Sequence, residues 1–220
     1  ASSGTAEAIY VGSSVNNLGF LESDVDLSII DPTYSPNHPF SNMNVVRKIL
    51  RKFYSKIFVI SRARVPIIKF YDSKSGLECD INFNHALGIS NSSLLASYTF
   101  LDARVRPLVM LVKYFVKCRN INDASSNSIS SYAWSLMVLA FLQNRGILKN
   151  LQQEYQGPRQ LITVRGTNLI SRRSRSKENH QLEYRCVDVS FQSVPKVNFQ
   201  SHEIDWLSSD GVANLFLEFL

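Results

Sequence analysis

The reading of the fold turns on Gly12-Ser13 and, about ten residues on, Ser23-Asp24-Val25-Asp26-Leu27. Side chains alternate along a strand, so Asp24 and Asp26 project from one face while Val25 and Leu27 turn toward a core. Two carboxylates roughly 7 Å apart on one face repel each other unless a cation lies between them. Magnesium suits such a pair, because it takes hard oxygen ligands and is held by a few carboxylates together with substrate phosphates. Gly12-Ser13 complements them: a turn of small residues exposes backbone N–H groups that can cradle phosphate oxygens. Taken alone, a Gly-Ser turn is weak and an Asp-x-Asp pair is an ordinary solvated edge. The combination of the two in a strand–turn–strand setting points to phosphate and metal chemistry.

Working outward, Glu7 to Val11 reads as a short strand running into the Gly12 turn, Val15 to Glu22 as a turn with one helical turn, and Asp24 to Ile30 as a second strand. Asp31-Pro32 and Ser35 to Pro39 mark a loop. From Met43 to Tyr54, Val45, Val46, Ile49, Leu50 and Phe53 recur at helical spacing opposite Arg47, Lys48, Arg51 and Lys52. Phe58 to Ser61 and Val65 to Tyr71 read as strand, with Ser73 to Gly76 as a hairpin turn. Leu77 to Phe83 is the return strand, and Asp80 sits at its centre in Cys79-Asp80-Ile81-Asn82-Phe83. A third carboxylate there, beside Asp24 and Asp26, would complete a two-metal site.

After about Ile89 the pattern turns helical, with apolar periodicity over Arg104 to Cys118 and Ser130 to Asn144. Gln152 to Pro158 and Leu169 to Asn179 read as loops, the second carrying Arg172, Arg173, Arg175 and Lys177. Asp210 to Leu220 begins another helix. The expected fold is therefore α+β: a mixed sheet with helices over residues 1–90, then a mostly helical domain over 91–220, incomplete at its C-terminal end.

Hydrophobic residues at 45% and charged residues at 19% suit a globular chain with a packed core. A net charge of +6 favours a polyanionic partner such as RNA. The cysteines, Cys79, Cys118 and Cys186, are odd in number and widely spaced, which fits free thiols in a reducing compartment, the cytoplasm ahead of nucleus or mitochondrion. The uncharged stretch Ala124 to Asn144 is too rich in Ser and Asn to span a membrane, so no membrane partner is expected.

These motifs resemble those of the terminal uridylyltransferase and cytoplasmic GLD-2-type noncanonical poly(A) polymerase family, within the DNA polymerase β-like nucleotidyltransferase superfamily. The likeness runs over roughly residues 8–147 and takes in Ala63-Arg64-Val65-Pro66-Ile67, Cys79-Asp80-Ile81, Leu101-Asp102-Ala103-Arg104 and Ile129-Ser130-Ser131-Tyr132. It is loose from Leu148 to Leu220. The resemblance implies template-independent addition of UMP or AMP to RNA 3′ ends, with pyrophosphate released and Mg²⁺ or Mn²⁺ held by Asp24, Asp26 and Asp80. It implies nucleotide binding by Gly12 and Ser13 (phosphate), Asn91 and Ser92 (ribose), Lys113 and Lys117 (triphosphate), and Ser131 and Tyr132 (phosphate and base). Lysines at i and i+4 share a helix face and can meet one anion, and a tyrosine ring stacks on any base. Without the family, Lys113 and Lys117 would read as a solvated face and Tyr132 as a core or rim aromatic.

The helix over Leu101 to Lys117 leans toward the uridylyl branch, with ATP-dependent polyadenylation as the alternative. An inactive RNA-binding homologue is a further alternative, opposed by the intact carboxylate trio. Relatives carry helices beyond both ends of this chain, so the apolar face of Val212, Leu215, Phe216, Phe219 and Leu220 is expected to lack a partner within it.

Overall fold

In the computed structural model, which describes residues 6–31, 43–61, 63, 65–166, 183–196 and 203–220, five strands form one mixed sheet. They are Glu7–Val11 (β1), Val25–Ile30 (β2), Ser55–Ile60 (β3), Ile67–Asp72 (β4) and Leu77–Phe83 (β5), in the order β1-β2-β5-β4-β3. Only the β2–β5 pair is parallel. The helix Met43–Leu50 (α1) packs its Val46 with Ile57, Ile68, Phe70, Cys79 and Ile81 into the core of this sheet. Alternation in β4 and β5 buries Ile68, Phe70, Cys79 and Ile81, which sends Lys69 and Asp80 to the opposite face. The hairpin turn expected at Ser73 to Gly76 is present, with Gly76 in the left-handed region (φ +75°) and its N–H bonded to the Asp72 carbonyl.

Chain contacts divide the protein into two compact units. The first contains the sheet and comprises the described residues within 1–14, 21–91 and 157–190. The second comprises those within 15–20, 92–156 and 191–220. The helix Ala86–Leu101 (α2) carries the chain from one unit to the other at Asn91–Ser92.

The helical unit is built from the end of α2, Val105–Cys118 (α3), Ser131–Asn144 (α4), the single-turn Leu151–Glu154 (α5) and Val212–Phe219 (α6). Its core holds Val105, Leu108, Val109, Val112 and Val116 of α3, Val138 and Leu142 of α4, and Val212 and Leu215 of α6, all at most 1% exposed. Each such side chain contributes about 1.5–3 kcal/mol of burial. Ser130 caps α4 by accepting a hydrogen bond from the Ala133 N–H at 3.2 Å. The face of α6 finds its partner inside the chain, contrary to expectation: Phe216 meets Phe115 and Phe219 meets Phe141 edge to face. Leu220 alone of that face stays 60% exposed.

Asp102 accepts from the Arg104 backbone N–H (2.8 Å), its Nε (3.0 Å) and its Nη2 (2.8 Å), fixing the turn into α3. Although burial pulls its carboxyl up, the Arg104 hydrogen bonds hold it below the usual carboxylate range. The Leu101-Asp102-Ala103-Arg104 motif is thus an internal clamp.

One element was not legible in advance. Leu161–Gly166 (β6) and Glu183–Asp188 (β7) pair antiparallel as a separate ribbon, in register from Leu161↔Asp188 to Gly166↔Glu183. Arg159 closes its end on Asp188 at 2.9 Å. The basic run Arg172 to Lys177, the loop Ser35 to Pro39 and Arg64 lie outside the described residues.

Candidate active site

Three neighbouring strands place the chemistry. Asp26 of β2 is the register partner of Asp80 on β5, and Asp80 in turn faces Lys69 on β4. Asp24 immediately precedes β2, and its Oδ2 lies 3.5 Å from Lys69 Nζ; Asp80 Oδ2 lies 3.3 Å from the same nitrogen. The sheet therefore gathers Asp24, Asp26 and Asp80 on one face, as strand alternation requires.

Gly12 lies against this face. Its φ is +72°, and a Cβ at that position would come within 2.1 Å of Asp26 Oδ2. Any other residue would be strained in backbone and would strike the carboxylate. Gly12–Ser14 forms a single tight turn, and Ser14 Oγ donates to the Val11 carbonyl at 3.0 Å. Ser13 is the middle residue of that turn.

The electrostatics are those of crowded carboxylates. Burial first, then the Asp80 and Asp24 charges, push the Asp26 carboxyl up to about 6 against the opposing pull of Lys69. Burial raises Asp80 as well, with Lys69 lowering it and Asp24 raising it. Burial would lower the Lys69 ammonium, but Asp80 and Asp24 outweigh it and hold the proton more firmly.

Asp80 Oδ1 is buried and accepts no hydrogen bond. A bare buried carboxylate oxygen costs free energy unless a cation or donor meets it. The donor set is all hard oxygen, which fits a divalent cation of the magnesium type. As placed, no group of three or more His, Cys, Asp or Glu among the described residues closes into a metal cage; the Lys69 ammonium lies between two of the three carboxylates.

The other expected site residues fall into smaller groups. Asn91 is half-buried on α2 in the sheet unit, and Ser92, buried, begins the α2 part of the helical unit. Lys113 and Lys117 both lie near one aromatic ring: their ammoniums stand 5.1 and 6.0 Å from the centroid of the Phe20 ring. Lys113 is 9% exposed and donates to the Leu18 carbonyl, and burial, then Lys117, lower its proton affinity. Lys117 is exposed. Ser131 and Tyr132 share the first turn of α4, where Ser131 Oγ accepts from Asn122 Nδ2 at 3.3 Å and Tyr132 as a residue is 39% exposed.

Sequence reasoning missed Lys69 and Phe20. The signal for Lys69 was present: one lysine inside the apolar strand Ile67-Ile68-Lys69-Phe70-Tyr71, on the strand paired to the one that carries Asp80. Phe20 gave no such signal, since its part depends on the tertiary path of Val15–Phe20 against α3. Arg106 Nε holds the same segment through the Asn17 carbonyl at 2.9 Å.

A mixed sheet that sets an Asp-x-Asp strand parallel to a third Asp, beside a glycine turn too tight for any side chain, accompanies membership of the polymerase β-like nucleotidyltransferase superfamily. Residues 2–100 match the family model described as the central palm domain of mitochondrial-like poly(A) RNA polymerase. The chain belongs to the family of GLD2-type noncanonical poly(A) polymerases and terminal uridylyltransferases.

It is 41% identical over 152 residues to the poly(A) RNA polymerase GLD2-B of Xenopus laevis, covering 66% of this chain and 30% of that protein. It is 38% identical over 177 residues to human terminal uridylyltransferase 7, covering 76% of this chain and 12% of that protein. The chain thus spans about a third or less of the length of these curated relatives. The solved structure of the Cid1 poly(U) polymerase with Mg and 3′-dATP bound superposes with a TM-score of 0.70 at 27% identity, over 97% of this chain and 59% of that one. Among the described residues, no helix is long and apolar enough to cross a membrane.

Proposed function

We propose that this protein extends RNA 3′ ends without a template, transferring one nucleotide at a time from an NTP and releasing pyrophosphate, with UTP as the leading substrate. The observation that carries the reading is the side-by-side placement of Asp26 and Asp80 on parallel strands, with Asp24 joined to Asp80 through Lys69. Asp24, Asp26 and Asp80 would hold Mg²⁺ or Mn²⁺, which when bound acidifies the attacking 3′-hydroxyl and neutralises the triphosphate.

The remaining roles belong to the chain's own groups. The Gly12-Ser13 turn presents backbone N–H groups to phosphate. Lys117, exposed, meets the triphosphate as a point charge, and Lys113 adds the N–H donors left over from its bond to Leu18. Asn91 and Ser92 address the ribose, Ser131 a phosphate, and the open Tyr132 ring stacks on the base. Stacking alone tolerates every base, so Tyr132 binds without choosing.

Adenylyl transfer is the second reading, favoured by the 41% identity to a poly(A) polymerase. Incubation of the full chain with a labelled oligo(A) and each NTP separately, with Mg²⁺ or Mn²⁺, tests both. A ladder with UTP supports the leading reading and one with ATP alone the second. No extension with any NTP would leave the inactive-homologue reading standing.

A further inference from the structure

We propose that Lys69 is the built-in counter-cation of the acidic face: a positioning residue that holds Asp24 and Asp80 in register and yields that place when a divalent cation binds. The inference rests on the reading of Asp24, Asp26 and Asp80 as the metal ligands and adds a residue to it.

Three features carry it. Strand register sets Lys69, Asp80 and Asp26 abreast on β4, β5 and β2, so the lysine stem is directed to the carboxylates by the backbone itself. Its Nζ reaches two of them at once, 3.5 Å from Asp24 Oδ2 and 3.3 Å from Asp80 Oδ2. Both contacts are long beside the roughly 2.7–2.9 Å of a tight charge-assisted hydrogen bond. One ammonium offsets one of three negative charges and leaves Asp80 Oδ1 bare. A divalent cation offsets two charges and can meet that oxygen. The lysine is also free to leave: its side chain is 33% exposed, and four flexible carbons let the charged end swing to solvent. Lys69 is therefore held closely enough to keep like charges from splaying β2 away from β5, and loosely enough to be displaced.

The test is Mn²⁺ binding to the full chain, followed by the electron paramagnetic resonance of free Mn²⁺, together with thermal unfolding in EDTA and in Mn²⁺. Lys69→Met keeps the stem and removes the charge. It should bind Mn²⁺ about five- to tenfold more tightly than the natural protein, since the competing cation is gone. Its melting temperature should fall in EDTA and recover in Mn²⁺, whereas Lys69→Arg should follow the natural protein in both. A lysine that merely packed would lower the melting temperature equally with and without metal, and that result overturns the proposal.

Natural protein that binds Mn²⁺, with Lys69→Met binding it equally or less tightly, also overturns the proposal but leaves the metal site standing. Failure of the natural protein and Lys69→Met alike to bind Mn²⁺, with or without a non-hydrolysable NTP, rejects the metal reading itself and the proposal with it. Should Lys69→Met not fold in EDTA, the double variant Lys69→Met/Asp80→Asn, which removes the excess negative charge, must restore folding. Its failure to do so would assign Lys69 to packing.

Discussion

The sheet face around Asp80 and the core of the helical unit put burial to opposite uses. In the helical unit, Leu108, Val112, Leu142 and Leu215 are fully or almost fully enclosed by other apolar side chains, and each adds to stability. On the sheet face, burial falls on charges: the Asp26 carboxyl is pushed up to about 6, and Asp80 Oδ1 has no partner. Neighbouring positions on β5 show both behaviours. Cys79 and Ile81 turn into the sheet's core, and Asp80 between them turns away into the crowd of carboxylates. An arrangement that costs folding free energy and persists beside good packing is expected where a ligand meets the cost.

The largest change in stability should come from the apolar side of this comparison. Leu142→Ala, emptying a site with no exposure on α4, should destabilise the protein by about 2–5 kcal/mol in chemical denaturation. A loss under 1 kcal/mol would mean that the helical core rearranges around the gap.

The opposite sign is expected on the acidic face. Asp26→Asn should stabilise the metal-free protein at pH 7 by on the order of 1–3 kcal/mol. A carboxyl whose folded value is raised from 3.8 to about 6 binds more protons folded than unfolded between those pH values. Its presence therefore lowers stability as pH rises from about 4 to 6, and the penalty is complete above that window. Melting curves in EDTA at pH 4, 5, 6 and 7 should show the gap between variant and natural protein widening upward. A constant gap would contradict the electrostatic origin.

A smaller effect is expected at Asp102, which carries the opposite linkage. Its carboxyl is held below the ordinary value by Arg104. Its contribution is present above about pH 4 and is lost as pH falls through the lowered folded value. Asp102→Asn should cost about 1–2 kcal/mol at pH 7, and less as the pH falls below 4. The comparison of unfolding midpoints at pH 7 and pH 3 checks it, and a penalty that grows in acid would refute the clamp.

How far the molecule could be read in advance follows the same division. Local periodicity disclosed β1, β2, β5 and the α3 and α4 helices, because alternation and 3.6-residue spacing are written along the chain. That Asp24 and Asp26 share one sheet face was legible because side chains alternate along a strand, and Asp80 joins them there as the register partner of Asp26. Lys69 was overlooked because its meaning lies in cross-strand register with Asp80, which no single strand states. The β6–β7 ribbon was overlooked because its two strands, Leu161–Gly166 and Glu183–Asp188, are separated by a long stretch of sequence rather than by a short hairpin turn that would announce their pairing. The α6 face was judged uncovered because Phe115 and Phe141, which receive Phe216 and Phe219, lie about 80–100 residues earlier.

The most direct measurement is the rate of single-nucleotide addition to an oligo(A) by the full chain carrying Asp80→Asn, at saturating Mg²⁺ and NTP, set against the natural protein. The substitution keeps the shape of the side chain and removes one charge from the trio. A loss of about a thousandfold or more, equivalent to roughly 4 kcal/mol of transition-state stabilisation, with an unchanged circular dichroism spectrum is the expected result. Retention of a tenth or more of the natural rate would contradict the account and release Asp80 from the active site.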